Sequence, residues 1–340
     1  MHLLKPTLLR SLYAVTLIST SVVLSGIDPS IATADSPAKA TGVSVEKVDS
    51  PRGWKVYDNG KLFAGYIEYQ NGFPIVYPVI GPGGQPMTRD FPMKTGTEGE
   101  KLDHDHHRSL WFTHGEVNDI DFWIDDAHEG TGRIVQTAGE ATVDAKNDAV
   151  VITTENDWND AKGNRQLSDK RRTTFHSEDG KRMIDFEVVL RATDGDVNFG
   201  DTKEGSFGIR VAGTMKVDAK LGGKITNAEG LTNSDAWAKK SNWVNYTGPV
   251  GNETVGMSVF YHPSSFAAPC SWHVRTYGLF AANPFGHYHF NGGDKTEGIT
   301  LKDGETMTIR CRVVLYQGEF DADATEKAFA KYAAEKPKTL

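Results

Sequence analysis

Four of the chain's eleven histidines lie between residues 104 and 114, in the run Asp103-His104-Asp105-His106-His107-Arg108-Ser109-Leu110-Trp111-Phe112-Thr113-His114-Gly115-Glu116. Imidazoles shuttle protons or bind metals near neutrality, and the Arg and Trp beside them can grip and stack a polar ligand. In an extended segment His104 and His106 share one face, while Asp103, Asp105 and His107 share the other. A His-x-His pair can chelate a transition ion, with His114 or Glu116 completing the shell. The chain offers no Cys pair of zinc-site spacing and no His-Glu-x-x-His helix. Three readings stay open: a hydrogen-bonded network satisfied by Asp103, Asp105 and Glu116, metal-free catalysis or substrate binding, and a divalent metal site.

A second concentration runs from Trp272 through His273, Arg275 and Tyr277 to Asn283, Phe285 and His287. If residues 272–277 are extended, Trp272, Val274 and Thr276 share one face and His273, Arg275 and Tyr277 the other. The fork of Arg275 suits a carboxylate or vicinal hydroxyls; the plainer alternative is a weak surface ion pair. Between the two stretches, Glu229 sits in the turn-rich run 227–233 as a carboxylate general base, and His262 ends an apolar strand. Trp111, Phe112, Trp123, Trp237, Trp243 and Trp272 supply aromatic faces of the kind that stack on sugar rings, although any one of them is equally at home in a core.

The elements that must hold these groups read as strands. In 183–190, Ile184, Phe186, Val188 and Leu190 fall on one face and Asp185 and Glu187 on the other, a period of two. Asp179-Gly180 predicts a tight hairpin back to a strand over 171–176. Similar runs recur at 54–57, 62–69, 149–154, 207–217, 254–261 and 306–316, and only 323–335 has helical spacing. The expectation is an all-β protein: a large antiparallel β-sandwich with long loops over 80–130 and 262–298 and one C-terminal helix. No repeat period points to a propeller or solenoid.

Lys5 and Arg10, an apolar run over 12–24 and the small residues Ala32-Thr33-Ala34 form the three parts of a secretory signal peptide over 1–34. The apolar run falls short of the roughly 20 residues of a membrane span. Residues 35–45 then read as a disordered leader and 46–340 as a single β-sandwich domain, with no membrane span in the mature chain. The net charge of −8 and the absence of a basic block argue against nucleic acid and favour a small-molecule or oligosaccharide partner. Cys270 and Cys311 form either one disulfide or two buried thiols on neighbouring strands.

The 103–115 run, Asp121-Phe122-Trp123, the 243–249 run Trp-Val-Asn-Tyr-Thr-Gly-Pro and the stretch 272–286 together resemble the PmoA-labelled family of exported bacterial proteins of uncharacterised function, over nearly all of the mature chain. Its methane-oxygenase label implies a membrane protein with several spans, which this chain lacks. The resemblance carries onto His104, His106, His107, Arg108, His114, Glu229, His262, His273, Arg275 and Asn283, and the chain departs from the family pattern at Asp105, where Pro or His is usual. A weaker likeness to the aldose-epimerase or galactose-mutarotase superfamily rests on the order of Arg89, the 104–107 cluster and His114-Gly115; it implies a sugar lying across a concave sheet.

These readings place His104, His107, His114, Glu229 and His273 in catalytic roles and Arg89, His106, Arg108, Trp111, His262, Arg275 and Asn283 in substrate binding. The expected activity is carbohydrate processing of epimerase, lyase or hydrolase type, with a histidine acid and a carboxylate base. The alternatives are a non-catalytic glycan-binding module and a His-ligated metal enzyme acting on a small organic molecule.

Overall fold

The computed structural model describes residues 41–336 and Leu340. The leader expected over 1–34 lies outside these residues. So does most of 35–45, whose last three residues instead open the first strand.

Two eight-stranded sheets dominate. The first is built from β1 (Val43–Asp49), β2 (Arg52–Asp58), β3 (Lys61–Gln70), β4 (Phe73–Val79), β5 (Leu110–His114), β11 (Gly205–Arg210), β16 (Leu279–Asn283) and β15 (Ser271–Val274), paired in that order. The second runs β12 (Lys224–Asn227), β13 (Trp243–Val250), β14 (Glu253–Tyr261), β18 (Thr306–Gln317), β9 (Lys181–Arg191), β8 (Arg165–Glu178), β7 (Ala149–Asn159) and β6 (Arg133–Asp144). A small ladder joins β10 (Val197–Phe199) to β17 (Ile299–Leu301). Every pairing between named strands is antiparallel, as the alternating patterns require.

The sheets pack face to face through aromatic side chains. Phe112 on β5 stacks at 5.6 Å on Phe186 of β9, Phe207 on β11 meets Phe186 at 5.1 Å, and Phe63 on β3 meets Phe175 on β8 edge-on at 5.5 Å. Ile184, Phe186, Val188 and Leu190 are buried, as their alternation predicts. Their neighbours Asp185 and Glu187 form ion pairs with Arg312 and Arg310 on the outer surface of the second sheet. Asp179 and Gly180 both take positive φ in the two-residue β8–β9 turn, which is why this dipeptide reverses the chain there.

The C-terminal helix α2 (Ala322–Ala333) begins at Asp321, whose side chain accepts the Ala324 N–H, and buries Phe329 and Tyr332 against Phe260 and Trp243 on the outside of the second sheet. The short α1 (His287–Asn291) interrupts the second long loop. Two expectations change. The strand expected over 207–217 leaves the sheet after Arg210, because Val211 pairs instead with Thr88 and Val217–Ala219 coils into a 3-10 turn. The strand expected over 272–277 ends at Val274, and Arg275 opens a tight turn to β16 closed by its own carbonyl and the Gly278 N–H. Cys270 and Cys311 are buried free thiols, the second of the two sequence alternatives.

Phe112 bridges both sheets, so Phe112→Ala is expected to cost about 3–5 kcal/mol. The check is the urea midpoint of the purified variant; an unchanged midpoint would show that this contact does not hold the layers together.

Candidate functional site

The loop from β4 to β5 carries the first histidine cluster, and one buried guanidinium gives it shape. Arg89 donates to the carbonyls of Asp103 (2.7 Å), His104 (2.6 Å) and His107 (3.0 Å) and to Asp103 Oδ1 (2.9 Å). Arg210, at the end of β11, donates to the same Oδ1 at 3.0 Å and to His107 Nδ1 at 2.9 Å. Partial burial acts to raise the Asp103 pKa, but Arg210 and Arg89 outweigh it and hold the carboxyl below its ordinary value. Residues 103–107 are therefore a turn and not an extended segment: His104 takes a φ of 47° and its carbonyl accepts the His107 N–H at 2.9 Å.

That turn replaces the expected His-x-His face with a column of rings. Tyr277 stacks on His104 at 5.3 Å, His104 on His107 at 4.9 Å, and His107 on Trp111 at 5.5 Å, all within 19° of parallel. His106 meets His107 edge-on at 4.4 Å. A guanidinium only donates, so His107 Nδ1 must be the acceptor and its proton sits on Nε2. Among the described residues no group of three or more His, Cys, Asp or Glu side chains is placed to hold a metal.

Strand register fixes the floor. Trp111, Gly208, Ala281 and His273 follow one another across β5, β11, β16 and β15. A Cβ on Gly208 would stand 2.7 Å from the Trp111 indole, so only glycine lets that ring lie across β11. At the far end His273 Nδ1 donates to the Lys203 carbonyl at 2.9 Å, which leaves the lone pair on Nε2. Arg275, half-buried, sits over the rings of Trp237 and Tyr277 at 5.6 Å each.

One participant escaped the sequence reading. Glu204, just before β11, is ion-paired with Lys203, and its charge acts on His106, His273 and Tyr277 together. A lone acidic residue in a Lys-Glu-Gly turn carries no spacing signal; only the fold brings it between the two histidine stretches. The rim is open: His104, Glu204 and His106 side chains are 43%, 32% and 18% exposed. His104, His106, His107, His273 and Arg275 thus meet around Tyr277 and Glu204.

The other named residues lie elsewhere or are already engaged. His114 faces the interior on the opposite side of its sheet, packed on Phe285 and donating from Nε2 to the Gly200 carbonyl. Glu229 is exposed on the turn after β12, with no described contact to the histidines. His262 lies beside α2, bonded to Ser264 and packed edge-on against Tyr332, in a cleft lined by the ion pairs of the second sheet. Arg108 is fully buried, paired with Asp125 and bonded to the Gln70 and Asn71 carbonyls. Asn283 holds the Thr202 carbonyl and the N–H groups of Phe285 and Gly286. Arg89 and Trp111 shape the site from beneath: the donors of Arg89 are taken by the 103–107 backbone, and Trp111 is covered by the His107 ring.

Compared with known proteins, residues 53–330 match a family of unknown function, DUF6807, and the chain belongs to that family. The match carries no activity and no methane-oxygenase label. No curated protein matches. Among solved structures the chain is similar to the galactosidase domain of the alpha-galactosidase-sucrose kinase AgaSK, at 10% identity and a TM-score of 0.41 over 81% of this chain and 42% of that one. It is also similar to a galactose mutarotase-like protein from Lactobacillus casei ATCC 334, at 9% identity and a TM-score of 0.32 over 82% of this chain and 98% of that one. The chain therefore spans about two fifths of the length of the first of these structures.

Burial lowers His106, His114 and His273 from 6.5 to about 4 each, and pushes His107 well below its ordinary value. Between about 4 and 6.5 the unfolded imidazoles bind protons that the folded ones refuse, so stability is full above pH 6.5 and is lost as pH falls towards 4. Urea midpoints measured from pH 7 to 4.5 should decline steeply, and His106→Gln should flatten the slope. An unchanged slope in that variant would contradict the assignment.

Proposed function

We propose that this protein processes a carbohydrate on the outer face of β15 and the adjoining 275–278 turn, using His273 as a base and Glu204 as the carboxylate partner. The observation that carries this reading is the bonding of His273. With Nδ1 tied to Lys203, Nε2 is a fixed lone pair on a ring that feels the Glu204 carboxylate and the Arg275 guanidinium, the latter lying over Tyr277 and Trp237. Aromatic faces with a few placed polar groups suit the alternating apolar and hydroxyl surfaces of a sugar.

The roles differ from those read in the sequence. Imidazoles lowered to about 4 are neutral at pH 7, so His106 and His273 serve as bases or hydrogen-bond partners and not as the acid. Glu204 takes the place first given to Glu229. Arg275, half-buried, offers its fork to a developing oxyanion on the substrate. Epimerisation and elimination that begin with removal of a proton beside a carbonyl use a base and an oxyanion stabiliser in this way, whereas glycoside hydrolysis needs an acid for the leaving oxygen as well.

The test is product formation by the purified chain on a panel of glycosides and oligosaccharides, followed by NMR. His273→Ala and Glu204→Gln should each lower turnover by about 10²–10⁴-fold. Turnover should also fall as pH drops through about 4, where His273 takes up its proton. Undiminished turnover in both variants would reject the roles, and a glycan held unaltered for days would make the protein a binding module.

We also propose that the protein acts outside the cytoplasm, in the periplasm or beyond. The support is the three-part N-terminal pattern ending at Ala34. Protein recovered from an expressing bacterium should begin at Asp35 by N-terminal sequencing; retention of Met1 would contradict export.

A further inference from the structure

Arg275 is the one arginine of its kind among the described residues. Each of the eight others that are buried or half-buried has a carboxylate within ion-pair distance, as Arg89 and Arg210 have Asp103 and Arg108 has Asp125. Of the arginines left unpaired, Arg191 is exposed to water and needs no partner. Arg275 is half-buried between Trp237 and Tyr277, and its guanidinium makes no hydrogen bond or ion pair among the described residues.

Drawing a guanidinium partly out of water without giving it an anion is unfavourable. The neighbouring carboxylate does not relieve it, because Glu204 is held by Lys203. The indole N–H of Trp237, the ring on which Arg275 rests, is also buried without an acceptor. Arg275 and Trp237 are neighbouring donors without acceptors, so their complement is a ligand group that accepts hydrogen bonds and bears a negative charge.

Resting on the carbohydrate reading above, we propose that the substrate is an acidic sugar, a hexuronate free or within an oligosaccharide, whose carboxylate docks on the Arg275 fork. A guanidinium fork matches a carboxylate with two parallel hydrogen bonds, and the flanking rings hold its plane. The sugar ring then extends from Arg275 towards His273.

The experiment is calorimetric titration of the full chain at pH 7 with glucuronate and galacturonate, as monosaccharides and as disaccharides, against glucose and galactose in the same linkages. The acid of a pair should bind about tenfold to a hundredfold more tightly, the range of one charge-assisted contact. Arg275→Gln should erase that preference, with Arg275→Lys keeping part of it; thermal melts verify that both variants fold. Equal affinity for acid and neutral sugars, or a preference that survives in Arg275→Gln, overturns the assignment. If neutral sugars are turned over with dependence on His273 and Glu204, the acidic-sugar inference fails while the carbohydrate reading stands. If no sugar of either kind binds, both fall.

Discussion

The arrangement depends on a half-buried carboxylate shared by two buried arginines. Asp103 Oδ1 accepts from Arg89 and from Arg210 at 2.9 and 3.0 Å, and the remaining donors of the two guanidiniums fasten the loop backbone and His107. Two cations brought together in a poorly solvated place repel each other, and the aspartate lying between them makes the pair tolerable. Without that arrangement the 101–107 loop would have no reason to turn at His104. The rings of His104 and His107 would then not stack between Tyr277 and Trp111.

The same clamp explains the protonation states. The loop buries its own His107, and His273 is buried beside Phe290 and the 203–204 turn, so the imidazolium form is disfavoured at both. Each buried ring then has its tautomer set by a single rigid partner, Arg210 for His107 and the Lys203 carbonyl for His273. Rings fixed in this way need little reorganisation when a proton moves, which is the condition for efficient proton transfer. The cost appears as lost stability in acid.

The fold was largely legible from residues whose environment is local. The alternation of Ile184, Phe186, Val188 and Leu190 and the Asp179-Gly180 turn named their strand and hairpin, because side-chain period and positive φ are properties of the segment itself. The two chemistry-bearing stretches were visible as well. What the sequence hid was which face each residue would take. His114 lies three residues beyond Trp111 on the same strand, and that odd offset sends its ring into the interior, towards Phe285. Arg89, Arg108 and Asn283 have the residue types of ligand binders, yet their donors and acceptors are consumed by loop backbone that periodicity does not describe. Glu204 was passed over because proximity between distant turns leaves no mark in a local pattern.

The central claim is that ligand binds beside β15 and the turn that follows it, between Arg275 and His273. A crystal structure of the protein soaked with the sugar that binds best in solution tests it most directly. The expected result is density for a sugar ring between Arg275 and His273, beside Tyr277, with one oxygen within hydrogen-bond distance of His273 Nε2. Density confined to the ion-paired cleft beside α2, or a ligand touching only the exposed edge of His104, would contradict it.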